Sequence, residues 1–179
     1  MYKTFHIQKA AMWAFSILAV AAFAYALYFM TDYKDLFGLK LQLNAQIAEF
    51  HDETLQTFNQ QIFVAAIVGV LVILVSRMLE VQDKVPDLFA VVVICVLLGW
   101  ILYENVTFYV RIDEIREIYT NLDFQYYYLE GTADYELSLS TFSLGQGLYL
   151  VFSVVCGVYG LSLLGSHVAY RVGRRHRSE

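Results

Sequence analysis

The stretch from Asp87 to Leu122 sets the terms for the rest of this chain. It follows the only proline, Pro86, runs apolar through FAVVVICVLLGWILY, and continues with no break signal into NVTFYVRIDEIREIYTNL. A helix rises about 1.5 Å per residue, so about 20 residues cross the hydrocarbon core of a bilayer and the remainder must stand outside it. One long helix, partly in lipid and partly in water, satisfies both halves of the pattern. The composition agrees, since 59% hydrophobic against 16% charged residues is that of a membrane protein.

Three further segments are apolar enough to cross. Residues 10–31 carry no charge between Lys9 and Asp32. AFA and AYA within them resemble signal cleavage sites, but the run is longer than a signal h-region and predicts an uncleaved first span. Ala14, Ala22 and Ala26 would let a second helix approach closely. A second span over 61–79 is preceded by an amphipathic stripe, Leu43, Ile47, Phe50, Phe58 and Ile62, with Glu49, Asp52 and Glu53 off it. The connector EVQDKVP is short, so spans two and three form an antiparallel hairpin, and Pro86 suits the first turn of the third helix. The third span covers about 87–109. Beyond it Phe108, Ile112, Ile115, Tyr119 and Leu122 step by fours and threes, the spacing of a coiled-coil seam. The fourth span covers about 144–165, where Ser153 with Gly157 and Cys156 with Gly160 make two small-residue pairs for helix packing.

The expected architecture is a single all-α integral membrane domain with four transmembrane helices. Helices two and three extend into a small ectodomain, with outer segments at 32–60 and 110–142 and a basic tail at 166–179. Within the second outer segment, residues 123–142 read either as a short β-hairpin, from the alternation of Tyr135, Leu137 and Leu139 with Glu136, Ser138 and Ser140, or as a loop ending at a Ser140 or Ser143 cap. An even number of spans places both termini on one side. That side holds eight basic residues, Lys3, Lys9, Arg77, Lys84, Arg171, Arg174, Arg175 and Arg177, against four on the other. The positive-inside rule then predicts cytoplasmic termini, most simply in a plasma membrane.

Candidate sites are few. Glu104 is an acid at the membrane edge, read as an interfacial or helix-pairing group, with an ion or substrate pathway as the alternative. Tyr126, Tyr127, Tyr128 and Tyr135, interspersed with acids, predict an outer-face contact for a protein or glycan, or packing within the ectodomain. Arg171, Arg174, Arg175 and Arg177 form a tail that touches anionic lipid. Cys95 and Cys156 lie in apolar runs and read as small hydrophobes. His6, His51, His167 and His176 have no metal-site spacing, and no cofactor motif or catalytic constellation stands out. Asn105-Val106-Thr107 matches a glycosylation acceptor but falls too close to the membrane for use.

The four-span outline is shared with tetraspanins and claudins, whose extracellular loops carry cysteines, and with small multidrug transporters, whose first span carries a glutamate; this chain has neither feature. The expectation is a non-catalytic accessory or scaffolding subunit that meets lipids and other integral membrane subunits and no nucleic acid. A small oligomeric channel or transporter, with Glu104, Asn105 and Gln146 at an entrance, is the alternative. A sensor whose ectodomain binds a ligand is the third. The backbone amides of 110–122 and of the stripe before the second span are expected to exchange hydrogen far more slowly than those of an unstructured peptide. Exchange at the unstructured rate would remove the helical extensions.

Overall fold

A computed structural model describes residues 2–38, 49–81, 85–122 and 140–175, with side chains for 6–29, 49–50, 52–81, 85–122 and 140–173. Among these there are four long helices and no strand: α1 Tyr2–Gly38, α2 Gln56–Met78, α3 Leu88–Asn121 and α4 Ser140–Arg175. All four are long and apolar enough to cross a membrane. At about 1.5 Å per residue α2 is about 35 Å long, close to a hydrocarbon core of about 30 Å, and the other three, at about 50–55 Å, exceed it well. Each helix packs on its sequence neighbours and α4 closes the ring on α1, most intimately on α3 and least so between α2 and α3.

Local chemistry explains the helix ends. α2 stops at a Schellman turn, in which the Val81 amide donates to the Ser76 carbonyl at 3.1 Å and the Glu80 amide to that of Arg77 at 3.0 Å. Glu80 takes the left-handed position with φ 50°, where glycine is usual, and Val81 tucks inward at 2% exposure. α3 then starts two residues later than a proline in the first helical position would place it. Pro86 precedes the helix, and Asp87 is the N-cap, its carboxylate accepting from the Ala90 amide at 2.7 Å. α2 is preceded by a π-helical turn, Phe50–Leu55. Its i to i+5 spacing turns both Phe50 and Leu55 inward, which a continuous α-helical stripe does not allow. Of the amphipathic stripe, Phe50, Phe58 and Ile62 are buried, and Leu43 and Ile47 lie outside the described residues. Residues 123–139 of the hairpin-or-loop segment lie outside them too, while 140–142 already belong to α4.

The core has two stories. At the end where α1 finishes and α4 starts, rings from every helix interlock: Phe29 of α1 meets Phe58 of α2 edge-on at 5.5 Å, Phe58 meets Phe108 of α3 at 5.9 Å, and Phe108 meets Tyr149 of α4 at 5.3 Å. Tyr119 and Phe142 stack above them at 5.5 Å. Edge-on pairs at this separation are favourable beyond the area they bury. The other story is more aliphatic and finer-grained, with Ala19, Val72, Ile94, Leu98 and Leu163 packed around Phe15, which meets Phe152 at 5.4 Å and Tyr159 at 5.6 Å. The α3 seam Phe108, Ile112, Ile115, Tyr119 and Leu122 is buried throughout.

Small residues set the separations. Ala19, Ala22 and Ala26 of α1 are buried, as are Ala65, Ala66 and Gly69 of α2, and a Cβ on Gly69 would come within 3.4 Å of that of Ala19. The most crowded glycine lies between α1 and α4. Tyr25 lies across Gly145, and its hydroxyl donates to the Thr141 carbonyl at 3.1 Å. A Cβ on Gly145 would stand 2.6 Å from Tyr25 Cζ and 3.0 Å from Ile112 Cδ1, so only glycine fits. Gly145→Ala is expected to cost about 1–3 kcal/mol through overpacking, read as a lower melting temperature in detergent. Gly157→Ala, whose Cβ would meet nothing within 4 Å, is the matched control and should leave the melt unchanged.

Candidate functional site

Polar groups in a lipid-embedded bundle must find partners or face outward, and most hydroxyls here bond back to their own helix. Ser16 donates to the Met12 carbonyl, Ser153 to that of Tyr149 and Ser162 to that of Tyr159, each at 2.7–2.8 Å. The polar contacts between helices gather at the two ends.

At the end that carries the start of α1 and the finish of α4, the α2–α3 turn is held from both sides. Gln8, 1% exposed, donates from Nε2 to the Val81 carbonyl at 2.8 Å. His167 donates from Nδ1 to the Pro86 carbonyl at 3.0 Å, since a carbonyl can only accept. Arg77 lies over the Trp13 ring at 5.7 Å. A little deeper, Ser76 shares a hydrogen bond of 3.1 Å with the Tyr159 hydroxyl.

At the opposite end Arg111 of α3 bonds Gln61 of α2 and lies over Phe58 at 5.8 Å, while Gln146 of α4 donates to Asp113 at 3.3 Å. Beneath Arg111 the two least closely packed helices leave a groove of about 290 Å³ lined by Gln60, Gln61, Val64, Trp100 and Glu104. Glu104 is half-buried in its wall, and neither it nor Gln60 has a hydrogen-bond or ion-pair partner among the described residues. Glu104 lies sixteen residues beyond Leu88, and Gln61 sixteen before Arg77. Both spacings put the groove about 24 Å from the opposite helix ends, near the far edge of a hydrocarbon core of about 30 Å. Exposed Tyr28, Tyr103 and Tyr109 lie on this half of the bundle, with Trp13 and Tyr170 on the other, as two interfacial belts do.

The remaining predicted residues are spread out. Cys156 is buried, and a Cβ on Gly160 would lie 3.9 Å from Leu98 Cδ1, so this pair faces α3. Ser153 and Gly157 are half-buried, and a Cβ on Gly157 would touch nothing. Both cysteines are free thiols. Asn105 is 1% exposed, its amide 4.0 Å from Cys156 Sγ, which withdraws the glycosylation motif into the bundle. Arg171 is exposed near the end of α4, which also carries Arg174 and Arg175. Tyr126, Tyr127, Tyr128, Tyr135 and Arg177 lie outside the described residues. No three metal-ligating side chains converge among the described residues.

Sequence reasoning found Glu104 but missed Gln60, Gln61 and Trp100, because the register of α2 against α3 is not written in either helix alone. Gln8 and His167 were missed likewise; a glutamine and a histidine at the ends of apolar runs were the only signals. No family model, curated protein or solved structure matches the chain. Because Glu104 holds no partner among the described residues, Glu104→Gln is expected to keep the helical circular dichroism and to shift stability by less than about 0.5 kcal/mol, as for a substitution away from the core. A larger loss would give this acid a structural task.

Proposed function

We propose that the chain is a non-catalytic accessory or scaffolding subunit of a larger membrane assembly, in a plasma membrane with both termini in the cytoplasm. The observation that carries this reading is the filled interior. From Tyr119 and Phe142 at one end to Met12, Val81 and Leu163 at the other, the bundle axis is occupied by buried apolar side chains. A solute pathway needs polar groups or water along its length. The residues suggested for an entrance diverge: Glu104 faces the α2–α3 groove, Asn105 faces Cys156 of α4, and Gln146 bonds Asp113 of α3. The orientation rests on the eight basic residues on the side of the termini.

A subunit of this kind works by contact. Its lipid-facing surface and its acidic, aromatic outer segments would meet other integral subunits and an outer-face protein or glycan. Affinity purification of the full chain from native membranes in a mild detergent, followed by native mass spectrometry, is expected to give stoichiometric unrelated proteins. A homo-oligomer alone would overturn this reading in favour of an oligomeric channel or transporter, for which flux in liposomes is the next measurement.

A further inference from the structure

We propose that the α2–α3 groove binds the headgroup of an ethanolamine phospholipid, with the ammonium against Glu104. Three observations converge on this occupant. The groove carries an acid without a protein partner, beside the side-chain amide of Gln60, which is equally unpartnered among the described residues. An ammonium offers three N–H donors to these acceptors, and in a site of lowered dielectric the ion pair is strengthened. Height is the second argument. The groove lies about 24 Å along α3, where lipid headgroups meet acyl chains, so a headgroup reaches it without leaving its own layer. Third, the apolar surface below the groove suits the rest of a lipid. Exposed Val64, Ile67, Leu71 and Leu74 continue down α2 from the groove as a track for an acyl chain.

A choline headgroup has no N–H to donate and a glycerol headgroup has no positive charge, so the site discriminates by chemistry that a lipid mixture exposes. The inference does not depend on the accessory-subunit reading: a lone chain would bind the lipid equally.

The test is competition in nanodiscs. The full chain is reconstituted in equal parts of phosphatidylethanolamine, phosphatidylcholine and phosphatidylglycerol and ejected for native mass spectrometry. Phosphatidylethanolamine should be retained about tenfold over the other two, the scale of one charge-assisted hydrogen bond. Glu104→Gln should abolish the preference and Glu104→Asp should keep most of it. Equal retention of the three lipids by the wild-type chain would overturn the proposal, with no need for a variant that folds. So would a preference unchanged in Glu104→Gln. A photo-reactive benzoylphenylalanine at position 64, used in native membranes, reads the occupant directly. Cross-linking to phosphatidylethanolamine supports the proposal, and cross-linking to a polypeptide in its place overturns it.

Discussion

The Tyr25 hydroxyl, lying across Gly145 to reach the Thr141 carbonyl, is the contact on which the geometry of the bundle rests. Lipid tails are as apolar as a protein core, so helices in a bilayer gain little by hiding leucines from it, and close packing and hydrogen bonds must hold them together. Here a large side chain on one helix meets the absence of one on the next. That fit brings α1 against α4 closely enough for Tyr25 to meet Tyr149 edge-on at 5.8 Å and Phe29 to lie within 6.3 Å of Phe142. From those rings the lattice continues to Phe58 and Phe108, and so to all four helices.

Packing is uneven around the ring, and the unevenness has chemical consequences. α4 is gripped on both flanks, whereas α2 and α3 are the least closely packed neighbours, bridged by the Phe58–Phe108 ring pair and by Arg111 with Gln61. Beside those bridges they leave the groove lined by Gln60, Gln61, Val64, Trp100 and Glu104. The least packed seam is therefore also where an acid stands half-buried without a partner among the described residues.

The spans were legible because hydropathy over some twenty residues is a strong signal, and the α3 seam was legible because its fours and threes persist from Phe108 to Leu122. The approach to α2 was only half readable. The π turn adds a residue to the repeat, so a stripe drawn on an ideal α-helix passes through Phe50 and Phe58 and overlooks Leu55. Small residues were readable as a type and not as positions. Ala22 and Ala26 do line α1, yet the glycine that matters most, Gly145, stands outside the two pairs picked from α4, because its importance comes from a tyrosine 120 residues earlier. The left-handed Glu80 gave no sign of itself, since glycine is the residue that normally betrays such a turn.

The two closest interfaces of the bundle, α3 with α4 and α1 with α4, both belong to the helix that follows the other three in the chain. While the ribosome is still making the segment before Ser140, α1, α2 and α3 can be threaded into the bilayer but lack the surface that draws them together. Gly145 and Tyr149 then arrive within one turn of each other, under Tyr25 and Phe108, and the aromatic story closes in one step. Assembly of these four helices accordingly waits for α4, and a chain interrupted before it leaves three helices without their keystone, a natural substrate for membrane quality control.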